Sequence, residues 1–394
     1  AYLLASFQPI AGLKGKINVK AGTSVFRKSL VVCQFSISVL LIVATIIMGR
    51  QMEYLRTIDL GYDQSYVFTV PLTPQGAEHK EALKTQLKNT KEIIDVSASD
   101  IYDIANLSSA SGDLEWNGKA PNSNLIVGQA NVDKDFIPTL KIDFLEGGNF
   151  TGTPIDSASF ILNETAVLAM GLQAPYTGQP LTFHDKKGHI IGVVKDFNFK
   201  SLKEKTTPLV LYSWWNGNIL HIRSTAKGIT GAIASARQEY AKHAGDIPFS
   251  FSFVDNQIET QYHNDQRISF LFNLFAGVAI FISCLGLFGL ATYNAQIRIK
   301  EIGIRKVLGA NIGSIVQLLN KETVWLVLVA ILIASPLAWW ALNKWLQGFA
   351  YRIELQWWMF AAAGSLAMLI ALLTVSTQAI RAARMNPIKS LRNN

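Results

Sequence analysis

The run LVVCQFSISVLLIVATIIMG, Leu30–Gly49, contains no Lys, Arg, Asp, Glu or His. A helix rises ~1.5 Å per residue, so a run of this length crosses a hydrocarbon core of ~30 Å. Three further uncharged runs follow, Phe270–Tyr293, Thr323–Leu342 and Trp357–Ile380. The spacing predicts four transmembrane helices, with the polar segment 50–269 lying between the first and the other three. The length of the first run and its continuation into Arg50-Gln51-Met52-Glu53, with no small-residue cleavage pattern, argue against a cleaved signal peptide.

Composition agrees. The chain is 49% hydrophobic and 16% charged. Both cysteines, Cys33 and Cys284, fall inside predicted spans, so no structural disulfide is expected.

Charge sets the expected orientation. Residues 1–29 carry five basic side chains and no acid, 294–322 carry a net +3, and the tail after Ile380 a net +4. The segment 50–269 is net −5. Short basic loops stay cytoplasmic, while long domains translocate largely regardless of charge. Both termini and the 294–322 loop are therefore expected inside, with 50–269 periplasmic. The overall +8 is a topology signal. No basic stripe interleaved with aromatics is present, and no nucleic-acid partner is expected.

The fold class that follows is an α-helical membrane protein with four transmembrane helices plus an α+β extracytoplasmic domain inserted between helices 1 and 2. In the insert, Tyr66–Leu72, Ile93–Ser99 and Phe160–Leu162 read as strands. Gly76–Asn89 and Gly228–His243 read as helices. Asn163 is placed to cap a helix over 164–170, with Gly171 after its end. Asp185-Lys186-Lys187-Gly188 reads as a hairpin turn between Leu181–Phe183 and His189–Val194. Phe249–Val254 alternates like a strand. His184, Asp185 and His189 read as a solvated turn, and no catalytic, cofactor-binding or metal site is expected. The second span is expected to begin near Asn256 and run unbroken to Arg298, about 60 Å at helical rise, longer than a bilayer with its headgroups. Two rigid stalks would then carry the outer domain. Ala279/Ser283, Ala361/Ser365 and Gly286/Gly289 are the expected small-residue contacts between spans.

The inner loop reads Arg298-Ile299-Lys300-Glu301-Ile302-Gly303-Ile304-Arg305-Lys306-Val307-Leu308-Gly309-Ala310. Its mix of apolar residues and both charge signs fits a short amphipathic helix, which lies on lipid or docks in a partner's groove. This stretch resembles the inner loop of FtsX-like, MacB-like ABC-transporter permeases. Arg27-Lys28-Ser29-Leu30, Asp59-Leu60-Gly61-Tyr62, Ile161–Ala166, Ile191–Phe197, Leu285–Leu290 and Asn386-Pro387-Ile388 resemble other segments of that family in the same order. At Gly148 relatives usually carry a basic residue.

The resemblance implies a permease subunit that couples ATP hydrolysis in a partner ABC ATPase, where ATP and Mg would bind, to movement of a periplasmic domain for export. The alternative is a signalling complex that regulates a cell-wall hydrolase or senses an antibiotic without transport. A membrane-anchored enzyme is the remaining class, and no catalytic constellation supports it. The chain has no Gly-x-x-x-x-Gly-Lys-Ser/Thr loop of its own. Within the coupling helix 298–310, Arg298, Glu301, Arg305 and Lys306 are the implied polar residues, with Ile302, Ile304 and Val307 apolar and Gly303 and Gly309 shaping it. Partners implied are the ATPase, a second permease half, membrane lipid and a periplasmic protein, at the bacterial inner membrane.

Domain boundaries are expected at 1–23 (tail of a preceding repeat), 24–60 (helix 1 and stalk), 61–255 (MacB-like core domain) and 256–394 (FtsX-like permease domain). The first boundary rests on Pro9-Ile10 with Leu13-Lys14 echoing Pro387-Ile388 with Leu391-Arg392. That echo predicts the C-terminal half of a two-repeat permease, with a homodimer as the other arrangement.

Overall fold

The structure, a computed structural model, describes residues 19–214, 217–243 and 247–384. The repeated Pro-Ile motifs lie outside the described residues. The described residues open with one long helix, α1 (Val19–Thr57). The polar insert runs β1 (Val67–Pro71), α2 (Pro74–Glu78), α3 (Lys80–Lys88), β2 (Ile93–Ser99), β3 (Ala110–Ser111), β4 (Leu114–Trp116) and β5 (Val127–Asn131). It continues through α4 (Phe136–Leu140), β6 (Phe144–Gly147), β7 (Ser159–Asn163), α5 (Glu164–Ala169), β8 (Pro180–Phe183), β9 (Lys186–Val194) and β10 (Leu209–Tyr212). It ends with β11 (Ile219–Ser224), α6 (Ile229–Ala241), β12 (Ser252–Phe253) and α7 (Val254–Gln261). Four helices complete the described residues: α8 (His263–Ile297), α9 (Ile299–Val307), α10 (Ile312–Leu346) and α11 (Trp357–Arg384). Helices α1, α8, α10 and α11 are long and apolar enough to cross a membrane, and the protein is a membrane protein. The described residues form two units, one of residues up to 54, 265–348 and 352 onward, the other of 55–264 with 349–351.

In the helical unit, Val39, Val43 and Ile47 of α1 pack with Ala334, Ala338 and Leu342 of α10 and Met359, Ala363 and Ala367 of α11. The contact between α10 and α11 rests on alanines four apart: Ala330, Ala334 and Ala338 against Ala363, Ala367 and Ala371, all buried. Small side chains let backbones approach in lipid, where helix association depends on close packing. This ladder replaces the expected Ala361/Ser365 pair, which is exposed. Ser283 is buried as expected, in a 3.0 Å hydrogen bond with Ser38 of α1.

The inserted unit contains two sheets. The smaller has the order β12-β1-β11-β2, every pair antiparallel. With α3 after β1 and α6 after β11, this is an interleaved pair of βαβ units. Its core joins Phe68, Val70, Val96 and Ile222 to Leu83, Leu87, Ala232 and Ala236. The larger sheet runs β3-β5-β10-β7-β9-β8-β4, with β6 on β9, and is inserted between β2 and β11. Asn163 caps α5 through Ala166 N–H at 3.0 Å, and Gly171 follows with φ +68°, as expected.

Four local expectations change. The hairpin turn is His184–Asp185, both at positive φ, and Lys186–Gly188 already belong to β9. Gly188 serves a close approach: a Cβ there would sit 2.0 Å from the Ala158 carbonyl oxygen. The helix expected over 76–89 breaks at His79, whose N–H bonds back three residues to Gly76. Only Ser252–Phe253 of the phenylalanine-rich stretch pairs as a strand, because helix α7 starts at Val254. The long second-span helix is interrupted at Tyr262, whose hydroxyl accepts the Leu202 N–H at 2.8 Å. Before that break, α7 is tied to its own unit: Gln257 donates to Thr69 Oγ1 and Tyr102 O, and Gln261 to Ala105 O.

Two titratable groups give the insert a defined acid response. His221 on β11 is fully buried, against Ser99 Oγ at 2.7 Å and the edge of Phe136. Burial pushes its pKa down to about 3. The unfolded chain therefore takes up a proton below about pH 6.5 that the folded chain refuses, so stability present above that pH falls as pH drops toward 3. Burial alone would raise the Asp63 carboxyl, but Lys141, the Ser65 N–H and Arg223 outweigh it and hold it down to about 2. Its contribution is present above about pH 4 and lost as pH falls through 2. His221→Gln is expected to flatten the upper window by up to about 1.4 kcal/mol per pH unit and leave the lower one. Hydrogen exchange of β11 amides between pH 7 and 3 measures this, and an unchanged slope overturns it.

Candidate functional site

The site is built around α9. Backbone bonds Arg298 N–H to Asn294 O and Ile302 N–H to Arg298 O carry the helical pattern from α8 into it. Gly309, at φ +88°, ends it, and the Ala310 N–H closes back on Arg305 O at 2.9 Å. A left-handed residue after the last turn is the ordinary glycine stop.

The structure divides the sequence-identified residues into two sets. Ile302 is 5% exposed and packs with Ile315 and Leu319 of α10 and Ala379 of α11. It seats α9 on its own unit and is not presented outward. Gly303 is buried beside it. Ile304 and Val307 are exposed, and so is Leu308, which sequence reasoning did not single out. Glu301 and Arg305 pair at 2.9 Å, one turn apart and both about half exposed. Glu301, Ile304, Arg305 and Leu308 thus follow the three- and four-residue spacing of one helix face. The side chain of Lys306 lies outside the described residues.

Arg298 points back toward Glu322 of α10, at 3.9 Å. Glu322 also takes Lys28 of α1 at 2.5 Å and the Asn294 side-chain amide of α8 at 3.3 Å. Next to this joint the Arg27 guanidinium lies 3.9 Å over the Tyr293 ring. Partly exposed ion pairs are worth about 0–1 kcal/mol each, so the joint matters for position more than for stability. It ties three membrane helices to the start of α9. The only sequence signal for it was that Lys28, Arg298 and Glu322 each flank an apolar run.

The arrangement offers a small amphipathic docking edge. In the insert, His184 pairs with Gln129 and Asp113, while His189 sits in β9 opposite Ser159.

Residues 273–387 match the FtsX-like permease C-terminal family. The chain is homologous to YknZ of Bacillus subtilis, an uncharacterized ABC transporter permease: 25% identical over 266 residues, 55% of this chain and 65% of YknZ. It is likewise homologous to the macrolide export ATP-binding/permease protein MacB of Escherichia coli: 23% identical over 299 residues, 72% of this chain and 45% of MacB. The chain thus spans under two thirds of the length of either relative. Among solved structures, the periplasmic region of MacB from Actinobacillus actinomycetemcomitans covers 52% of this chain and 95% of its own, at TM-score 0.37 and 13% identity. The extracellular domain of YknZ covers 47% and 98%, at TM-score 0.34 and 12% identity.

Proposed function

We propose that this chain, an ABC-transporter-type permease whose residues 273–387 form an FtsX-like permease domain, transmits motion from a partner ATPase to its inserted domain. The observation that carries the proposal is α9: an outward edge of Ile304, Val307 and Leu308 beside the Glu301–Arg305 pair, on a helix seated by Ile302. Such an edge fits a groove of a nucleotide-binding subunit, which supplies ATP hydrolysis with its bound Mg. A push on α9 reaches α10 and α11 through Ile302, and α1 and α10 through Arg298 and Glu322.

The inserted domain receives that motion at three chain crossings. These are the end of α1, the Tyr262 break between α7 and α8, and the α10–α11 link. In the link, Ala350 and Tyr351 N–H groups bond to Lys203 O and Leu202 O. The charge asymmetry supports both ends of the segment and α9 in the bacterial cytoplasm, with the insert in the periplasm. Extrusion of a periplasmic or outer-leaflet substrate is the expected output, with a second permease half completing the machine.

The test is hydrogen exchange of the full-length protein bound to its ATPase, with and without vanadate-trapped nucleotide. Protection around Tyr262 and Leu202 is expected to change on trapping. No change at either residue sinks the transmission reading. Changed protection without substrate flux in proteoliposomes moves the output from export to signalling.

A further inference from the structure

A groove of about 650 Å³ runs between α1 and α10, and of its lining only Lys28 belongs to the coupling route above. Val32, Cys33 and Leu40 line one wall, and Trp325, Ile333 and Leu337 the other. The two helices run in the same direction here, since Lys28 meets Glu322 and Ser36 Oγ donates to Ala330 O. Lys28 and Trp325 therefore lie toward one end, where Val25 also lines the groove, and Leu40 and Leu337 mark the other. From Lys28 to Leu40 is about 18 Å at helical rise, slightly more than half of a ~30 Å hydrocarbon core. The groove is thus the length of one leaflet's acyl chain, and its apolar residues at Trp325, Ile333 and Leu337 are all exposed.

Its charged end is distinctive. Lys28 lines the groove there, and Lys321, exposed, lies one helical turn before Trp325. Arg27 and Arg298 are close by through Tyr293 and Glu322. Lys28 and Arg298 both reach the Glu322 carboxylate, and Lys321 adds a further exposed cation at this end. A tryptophan level with lysines is the pattern of a membrane interface, and clustered basic residues at a membrane surface attract anionic headgroups. The wall above contains no other charged residue.

We infer that this groove is a binding site for an anionic phospholipid, with one acyl chain along Val32–Leu40 and Trp325–Leu337 and the phosphate at Lys28 and Lys321. A single tail fits the groove's length and lining, and the excess of positive charge selects the headgroup. A second copy's helix would leave that charge unmatched. The bound chain would hold α1 and α10 at their present spacing, at the same end as the Glu322 joint.

The test is native mass spectrometry of the purified full-length protein titrated with phosphatidylglycerol or phosphatidylcholine of the same tails. One phosphatidylglycerol is expected to be retained, with roughly fivefold preference over phosphatidylcholine, since a basic residue at the surface contributes about 1 kcal/mol. Lys321→Gln should erase most of that preference without touching the Lys28–Glu322 pair. Cys33→Phe, at an exposed position, should fill the groove and lower retention of both lipids. Equal retention in Cys33→Phe and the unaltered protein overturns the site. So does efficient Cys33–Cys33 cross-linking in vesicles by a Cys284→Ser variant, which would make the groove a contact between two copies. Neither readout involves the ATPase, so failure here leaves the coupling proposal standing.

Discussion

Val307→Asp with Leu308→Asp is expected to abolish stable association with the partner ATPase while the permease remains folded. Val307 is 67% exposed and Leu308 80%, so neither contributes to the core of its own unit. Full burial of two such side chains in a partner's groove is worth about 3–6 kcal/mol. Losing it, and adding two carboxylates that must be desolvated, predicts a loss of affinity of at least about a hundredfold. Co-purification and stimulated ATPase rate measure the effect. Ile302→Ala is the informative contrast. It leaves the outward edge intact but opens a cavity among Ile315, Leu319 and Ala379, at a cost of about 2–5 kcal/mol. That variant should loosen α9, visible as faster amide exchange over 299–307, whereas the double aspartate should not. If the aspartate variant still binds the ATPase, the edge of α9 lies on lipid instead, as amphipathic interfacial helices do.

The division of α9 into a seat and an edge shows where sequence reading stops. Its limits were legible, because Gly309 and the flanking charges are local signals. Which of Ile302, Ile304 and Val307 faces inward was not, since nine residues at a 3.6 period leave several faces open. The partners Ile315, Leu319 and Ala379 decide it, and they come from two other helices. The same contrast holds in the insert. Strand Ile93–Ser99 and the Asn163 cap were readable because alternation and capping act over a few residues. The DKKG turn was misplaced because Gly188 answers to the Ala158 carbonyl, a contact 30 positions away in sequence. The separation of the insert into two sheets depends on pairs such as β2 with β11 and β5 with β10, which no local pattern reveals. Four spans were legible from length alone, but the alanine ladder joining α10 to α11 required knowing which faces meet.

The largest effect expected inside the insert comes from Lys84→Met. Lys84 on α3 is 4% exposed, and its ammonium bonds Asp133 and, at 2.8 Å, Asp135, both in the turn after β5. Burial alone would lower its pKa, but the two carboxylates raise it above the ordinary lysine value. Asp133 also accepts the Ala98 N–H of β2, and Ser99 bridges to Val132 alongside. One cation thus fastens α3 and β2 of the small sheet to the turn that leaves β5 of the large one. Methionine keeps the volume and removes the charge. Asp135 retains Lys88 at 2.9 Å, but Asp133 is left as a buried carboxylate without its cation. Removing one partner of a buried pair costs about 3–5 kcal/mol, much of it the stranded charge. Asp133→Asn added to Lys84→Met should recover most of that loss, since the amide oxygen still accepts from Ala98 and no charge remains. Thermal unfolding and amide exchange of β2 and β5 in the full-length protein read both effects. A cost under about 1 kcal/mol for Lys84→Met would mean the carboxylates are solvated and the sheets are held by backbone contacts alone. If the proposed transmission is correct, Lys84→Met should also reduce output from the inserted domain while ATPase binding at α9 is unchanged, the reverse of the aspartate variant.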